Sequence, residues 1–292
     1  MPTLREVKNR IRSVISTKRI TSAMEMVAAA KLRRAQQKVE QSRPYSKKMD
    51  EMLSQLAAGS TGEIIHPYFE EREVKKRTLV IFTSDRGLCG SFNSNVIRKA
   101  QEWIAGHQEG ELELVTVGKK GNDFFKKRSW PVVNYFGDWG GSLDYDKARD
   151  IVRFLTDRFV AGDTDEISLL FTRFLSTVKY RISLEKYLPV ARPEIKTDEG
   201  EMFKGNKDYI FEPDAEKIYG ALMPGYATTK MVTALVESFA SEHGSRMIAM
   251  NAATNNAGEM VHGLTLDYNK ARQAQITTEL TEVVSGANAL KG

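Results

Sequence analysis

Apolar residues near the start of the chain recur at helical spacing. Leu4, Val7, Ile11 and Val14 step by 3, 4 and 3, the interval of a coiled-coil seam. After a polar stretch from Ser16 to Arg19, the step resumes in a shifted frame at Ile20, Ala23, Val27 and Ala30. A skip of that kind changes the local winding of a coiled coil. From Thr3 to about Ala58 there is no glycine and one interior proline, Pro44, and Gly59 and Gly62 follow as stop signals. The pattern predicts one long N-terminal helix within residues 1–60.

A second helical pattern runs from about Asp214 to Leu290, placing a C-terminal helical segment at 212–292. Past Met223-Pro224-Gly225 it contains no proline, and Ile276, Leu280, Val283, Ala287 and Leu290 keep a 4-3-4-3 step. At about 1.5 Å per residue, a helix over Tyr226–Leu290 spans on the order of 100 Å, too long to be packed inside a domain of this size. Alanines crowd its middle and permit close approach of a partner helix. Gly244, Gly258, Gly263 and Gly286 weaken it by about 1 kcal/mol each relative to alanine. Two such helices at opposite ends of a chain pair most simply as a long antiparallel coiled coil. The C-terminal helix outlasts its partner, so its apolar tip requires a protein socket.

Between the helices, over about 75–210, the period changes. Strands are predicted at Thr78–Thr83, Glu111–Val117, Trp130–Phe136 and Ile167–Thr172, with helices at Ser91–Ala105 and Tyr145–Val160. Strand alternating with helix predicts a parallel or mixed sheet with helices on its faces. The fold class is therefore α/β: a Rossmann-like domain inserted between the arms of the coiled coil.

Composition narrows the functional classes. Of 292 residues, 41% are hydrophobic and 28% charged, ordinary for a soluble protein. No run of about 18 apolar residues occurs, so no membrane-spanning helix is expected, and the charged start lacks the apolar core of a secretory signal. One cysteine, Cys89, allows neither an internal disulfide nor a thiol-based zinc site. The net charge of +5 is uneven. Residues 1–58 hold 13 basic and five acidic side chains, a local charge of +8 that wants an acidic partner: nucleic acid, anionic lipid or an acidic protein surface.

Candidate chemistry centres on Ser84-Asp-Arg-Gly-Leu-Cys-Gly-Ser91, at the end of a strand and before a helix. Doubly wound sheets bind phosphates at that position. The spacing does not match a phosphate-binding GxxxxGK[ST] loop, however, and Val117-Gly-Lys-Lys-Gly121 lacks the Ser or Thr. A tight strand-to-helix turn, in which Gly87 and Gly90 supply unusual backbone angles, explains the motif better. None of His66, His107, His243 and His262 is tied to Cys89 or set in metal-ligand spacing, so no cofactor and no metal are expected. The basic helix has no aromatic before Tyr45 to stack on bases. A nucleic-acid-associated coiled coil and a stand-alone α/β enzyme stay as alternatives, and no nucleic-acid partner is expected.

Three segments carry a resemblance. Ile20-Thr-Ser-Ala-Met-Glu-Met-Val-Ala-Ala-Ala-Lys-Leu32, Ser84–Gly90, and the run from Ala240-Ser-Glu-His-Gly-Ser-Arg-Met247 through Ala253–Met260 and Ala271-Arg-Gln-Ala to Glu279–Gly286 resemble the gamma subunit of rotary F-type ATP synthases. Their order and spacing fit nearly the whole chain. Ser91 stands where that family most often has another glycine, and the paired-cysteine insert of chloroplast members is absent.

The resemblance implies a non-catalytic central shaft. One copy would sit in a hexamer of alpha and beta subunits, with epsilon, delta in the assembled complex, and a membrane ring of c subunits as further partners. It would lie at the cytoplasmic face of a bacterial plasma membrane, peripherally. By the same resemblance, Arg272 and Gln273 match positions that hydrogen-bond a beta-subunit loop. Met24 and Arg246 match the level where a beta lever meets the shaft. Leu280, Glu282, Val283, Val284 and Leu290 match the tip that turns in an apolar sleeve. Tyr45, Tyr209 and Glu212 match the foot that meets epsilon and the c ring. For the apolar members, plain coiled-coil packing accounts for the pattern as well.

Overall fold

The computed structural model describes residues 3–59, 66–107, 110–191 and 215–289. They fall into two compact units. One combines the residues up to Ala28 with those from Arg246 onward, and the other runs from Ala29 to Ser245. The first helix, α1 (Leu4–Gly59), and the last, α5 (Ala215–Ala289), contribute to both.

In the first unit α1 begins with a reciprocal cap. The Thr3 amide donates to the Glu6 carboxylate at 2.8 Å, and the Glu6 amide donates to the Thr3 hydroxyl at 3.3 Å. Leu4, Val7, Ile11 and Val14 form the seam as expected, Val7 buried and the others half-buried. The expected shift of frame between Ser16 and Arg19 does not occur. The 4-3-4-3 step continues from Val14 through Lys18, Thr21 and Glu25 to buried Ala28, and Thr21 and Glu25 bond to the facing helix. Thr254 Oγ1 donates to Thr21 Oγ1 at 2.9 Å, and Asn251 Nδ2 donates to Glu25 Oε1 at 2.8 Å. Lys18 Nζ lies 3.3 Å from where a Cβ on Gly258 would stand. Partners 251, 254 and 258 meet 25, 21 and 18, so the pair is antiparallel. Ile20 and Val27, each 58% exposed, face outward instead. Apolarity alone misplaced the frame because hydrogen bonds, rather than methyl groups, fill these seam positions.

In the second unit the helices pair the same way. Tyr219 donates to the Leu53 carbonyl at 3.3 Å, Lys230 pairs with Asp50 at 3.2 Å, and Glu237 pairs with Arg43 at 3.0 Å. Leu32, Ala35, Val39, Met49 and Leu53 supply the buried side of α1. Pro44 and Pro224 both lie inside helices.

Between these arms come β1 (Lys76–Phe82), α2 (Phe92–Gly106), β2 (Glu111–Val117), α3 (Lys119–Lys126), β3 (Val132–Phe136), α4 (Tyr145–Val160), β4 (Glu166–Phe174) and β5 (Tyr180–Leu188). The strand order is β3-β2-β1-β4-β5, with β5 antiparallel to β4 and the others parallel. The central strands β1 and β4 are almost wholly buried, as near-continuous apolar strands covered on both faces should be. One face carries Val80, Phe82, Val115, Leu169 and Phe171 against α4 and against Tyr219, Met231, Leu235 and Phe239 of α5. The other carries Leu79, Ile81, Leu114 and Leu170 against Val96, Ala100 and Trp103 of α2 and Phe125 of α3.

The four predicted strands and both internal helices are present. Helix α3 and strand β5 were not anticipated; Tyr180-Arg-Ile-Ser-Leu-Glu185 alternates apolar and polar, yet Ser183 is buried and Leu184 exposed.

The helix glycines differ in their surroundings. A Cβ on Gly263 meets nothing within 4 Å, whereas one on Gly244 would stand 3.1 Å from the Thr177 carbonyl oxygen. Gly263→Ala should therefore raise the stability of the purified chain by up to about 1 kcal/mol. Gly244→Ala should gain nothing or lose stability. Thermal unfolding followed by helical circular dichroism reads the difference, and equal gains would contradict the packing described.

Candidate functional site: an exposed helix surface and a polar joint

The Ser84–Ser91 turn is occupied by its own side chains. The Ser84 amide donates to Asn93 Oδ1 at 2.9 Å, and Asn93 Nδ2 donates to Ser84 Oγ at 2.7 Å and to Cys89 Sγ at 3.3 Å. Cys89 is buried. The two Asp85 oxygens accept from the Lys119 amide at 3.1 Å and the Trp139 amide at 2.7 Å. Asp85 thus ties together the loops at the carboxyl ends of β1, β2 and β3. Leu88 and Gly90 have φ of 61° and 57°, the left-handed conformation that a tight strand-to-helix turn requires and that glycine adopts without strain. This arrangement holds loops in place, and its carboxylate is committed to backbone donors.

The residues matched to the shaft surface lie mostly in solvent. On α5 every residue from 272 to 288 is exposed, including Arg272, Gln273 and Glu282. Ile276, Leu280, Val283 and Val284 are 48–69% exposed on the same run. Met24 is half-buried and Arg246 buried. Met24 precedes Glu25, whose carboxylate meets Asn251, five positions beyond Arg246. Tyr45 is 60% exposed. Leu290, Tyr209 and Glu212 lie outside the described residues.

Sequence reasoning missed a polar joint in the second unit. β1 pairs with β4 only as far as Leu170, yet β4 continues to Phe174. Beyond that point α5 and α1 take the place of a strand. The Phe174 amide donates to Glu237 Oε2 at 2.6 Å, and Arg43 Nη2 donates to the Phe174 carbonyl at 2.6 Å. Arg43 Nε also reaches Glu237 Oε1 at 3.0 Å. The Thr172 amide donates to Ser238 Oγ at 3.4 Å, and Ser241 Oγ donates to the Thr172 carbonyl at 3.2 Å. Glu237 is 2% exposed. The signal was present in the sequence: one carboxylate in the otherwise uncharged run Met231-Val-Thr-Ala-Leu-Val-Glu-Ser-Phe-Ala240.

Loop contacts add to this joint. Lys31 Nζ donates to the Gly140 carbonyl at 2.6 Å, and His243 Nε2 lies 2.7 Å from the Gly141 carbonyl. A Cβ on Gly141 would stand 2.6 Å from the His243 ring, and Gly141 also has a φ of 75°. Glycine is required there on both counts.

Two long terminal helices that pair antiparallel, a doubly wound domain between them in sequence, and an exposed run over 272–288 of the last helix define a stalk-type protein. The chain belongs to the ATP synthase gamma-chain family. The family model described as ATP synthase matches residues 3–290. An ATP synthase gamma chain from Moorella thermoacetica is 45% identical, and one from Desulforamulus reducens 44%, each over the full length of both chains. Two solved structures share the fold at lower identity. A chain of the Euglena gracilis mitochondrial ATP synthase gives a TM-score of 0.69 at 17% identity, covering 98% of this chain and 94% of its own. One from the central stalk and c-ring of the Tetrahymena thermophila enzyme gives 0.59 at 24%, covering 80% and 99%.

Asp85→Ala leaves two backbone donors without their acceptor. It should cost about 1–3 kcal/mol of stability, the usual penalty for orphaning such groups. Urea unfolding followed by tryptophan emission measures it. A loss below about 0.5 kcal/mol would show that Asp85 does not hold the loops.

Proposed function

We propose that this chain is the rotor subunit in the central stalk of a bacterial ATP synthase, coupling ion flow through a membrane ring to ATP synthesis or hydrolysis at an alpha/beta hexamer. The observation that carries this reading is the bare end of α5. An uninterrupted run of exposed residues bearing Ile276, Leu280, Val283 and Val284 is poorly suited to water and well suited to a sleeve of partner subunits. Full-length relatives named ATP synthase gamma chain support the same role.

The shaft acts by contact. It must touch the three beta sites differently at each angle, since a ligand with equal affinity for all states shifts none of them. Arg272 and Gln273 are exposed on α5 and can hydrogen-bond a beta-subunit loop. Met24 and Arg246 form the level of the beta lever. Leu280, Glu282, Val283, Val284 and Leu290 form the turning tip, and Tyr45, Tyr209 and Glu212 belong to the foot against epsilon and the c ring. The excess positive charge of α1 favours acidic partner loops.

The subunit itself performs no ATP chemistry, which belongs to the beta and alpha subunits. No described helix is long and apolar enough to cross a membrane, which fits a peripheral position on the cytoplasmic face, held through the complex. One copy serves each hexamer.

Mixing the purified chain with alpha and beta subunits from the same source tests the reading. One copy should co-elute with each hexamer and raise its ATPase turnover. The Arg272→Ala/Gln273→Ala variant should still assemble but turn over several-fold more slowly. A chain that neither co-elutes nor alters turnover would overturn the assignment.

A further inference from the structure

A rotor must pass tangential force between its domain and its helices, and the contact between them is of two kinds. The apolar face of the sheet against Met231, Leu235 and Phe239 supplies most of the burial, but that attraction is non-directional. It resists separation well and a small sliding rotation poorly. Hydrogen bonds behave otherwise, since they weaken steeply as distance and angle depart from their optimum.

From this we infer, resting on the rotor reading above, that the joint of Arg43, Glu237, Ser238 and Ser241 with the end of β4 is the torsional lock between the α/β domain and the helix pair. Three features favour it over an ordinary buried ion pair. It joins three elements at once: α1 through Arg43, α5 through Glu237, and β4 through Phe174. Its sheet-side partners are backbone groups, so force enters the strand ladder directly rather than through a rotatable side chain. Its contacts also repeat along the axis of α5, at 237, 238 and 241 against Thr172 and Phe174, which opposes rotation as well as translation. The outer side of Arg43 is half exposed while Glu237 is buried. Most of the directional hold is thereby shielded from solvent and salt.

The test uses the assembled complex with alpha and beta subunits, rotation stalled by a non-hydrolysable nucleotide. An optical probe is attached to a cysteine replacing exposed Val160 on the domain, and its angular variance is recorded. Glu237→Gln keeps the shape of the side chain but removes the charge-assisted acceptor, and should widen the variance at least twofold. Ser241→Ala, a milder change, should widen it less. Phe159→Leu, a core substitution away from the joint, should lower the unfolding temperature and leave the variance at the wild-type value.

Unchanged variance in Glu237→Gln, or equal widening in Phe159→Leu, would overturn the lock while leaving the rotor reading intact. Should Glu237→Gln fail to assemble, Ser241→Ala decides alone, and wild-type variance in it overturns the proposal. A wild-type chain that never joins the hexamer would overturn the rotor reading, and the lock with it.

Discussion

The structure depends on the pairing of two helices that are remote in sequence. Leu53 meets Tyr219 and Arg43 meets Glu237, contacts that close loops of well over a hundred residues. The entropic cost of closing a loop grows only slowly with its length, so a large domain can be threaded between paired helices without a matching penalty. What the arrangement demands is that the insert begin and end near the same place. The sheet order β3-β2-β1-β4-β5 meets this requirement, because β1 enters at the centre and the chain works outward on one side before returning to the other.

Which surfaces are buried follows from that arrangement. The central sheet is covered on one face by α2 and α3 and on the other by α4 together with α5. The face meeting α5 binds the domain to the helix pair, so the same residues serve as domain core and as attachment. Where β4 outruns β1, its free backbone groups would be costly to bury unpaired. The side chains of α5 and α1 satisfy them, turning a possible sheet defect into a connection.

Much of this was legible in the sequence, and the failures have identifiable causes. Long uninterrupted helical patterns revealed α1 and α5, and apolar runs bounded by glycine or polar turns revealed the buried strands. The frame of α1 past Ser16 was misread because Ile20, Ala23, Val27 and Ala30 look like a seam, while the seam in use runs through Lys18, Thr21 and Glu25. Hydropathy assigns polar residues to the outside, and hydrogen bonding across the pair reverses that assignment. β5 escaped notice for a related reason. As the outermost strand on its side it has one exposed edge, and its pattern of burial is mixed. The joint was invisible because Arg43 and Glu237 lie 194 residues apart, and only the isolated carboxylate of an apolar helix run hinted at it.

The two kinds of seam also divide the labour of the helices. Where α1 and α5 meet in the second unit, buried Leu32, Val39, Met49 and Leu53 add apolar area to the Arg43–Glu237, Asp50–Lys230 and Leu53–Tyr219 contacts. In the first unit the Thr21–Thr254 and Glu25–Asn251 bonds contribute less net stability than apolar packing of the same volume would. They fix register instead, as a polar residue at a seam position does in other coiled coils. That choice leaves Ile20 and Val27 facing outward. A shaft built this way spends apolar side chains on its outer surface, where partner subunits can read them, and relies on hydrogen bonds to keep its own helices aligned.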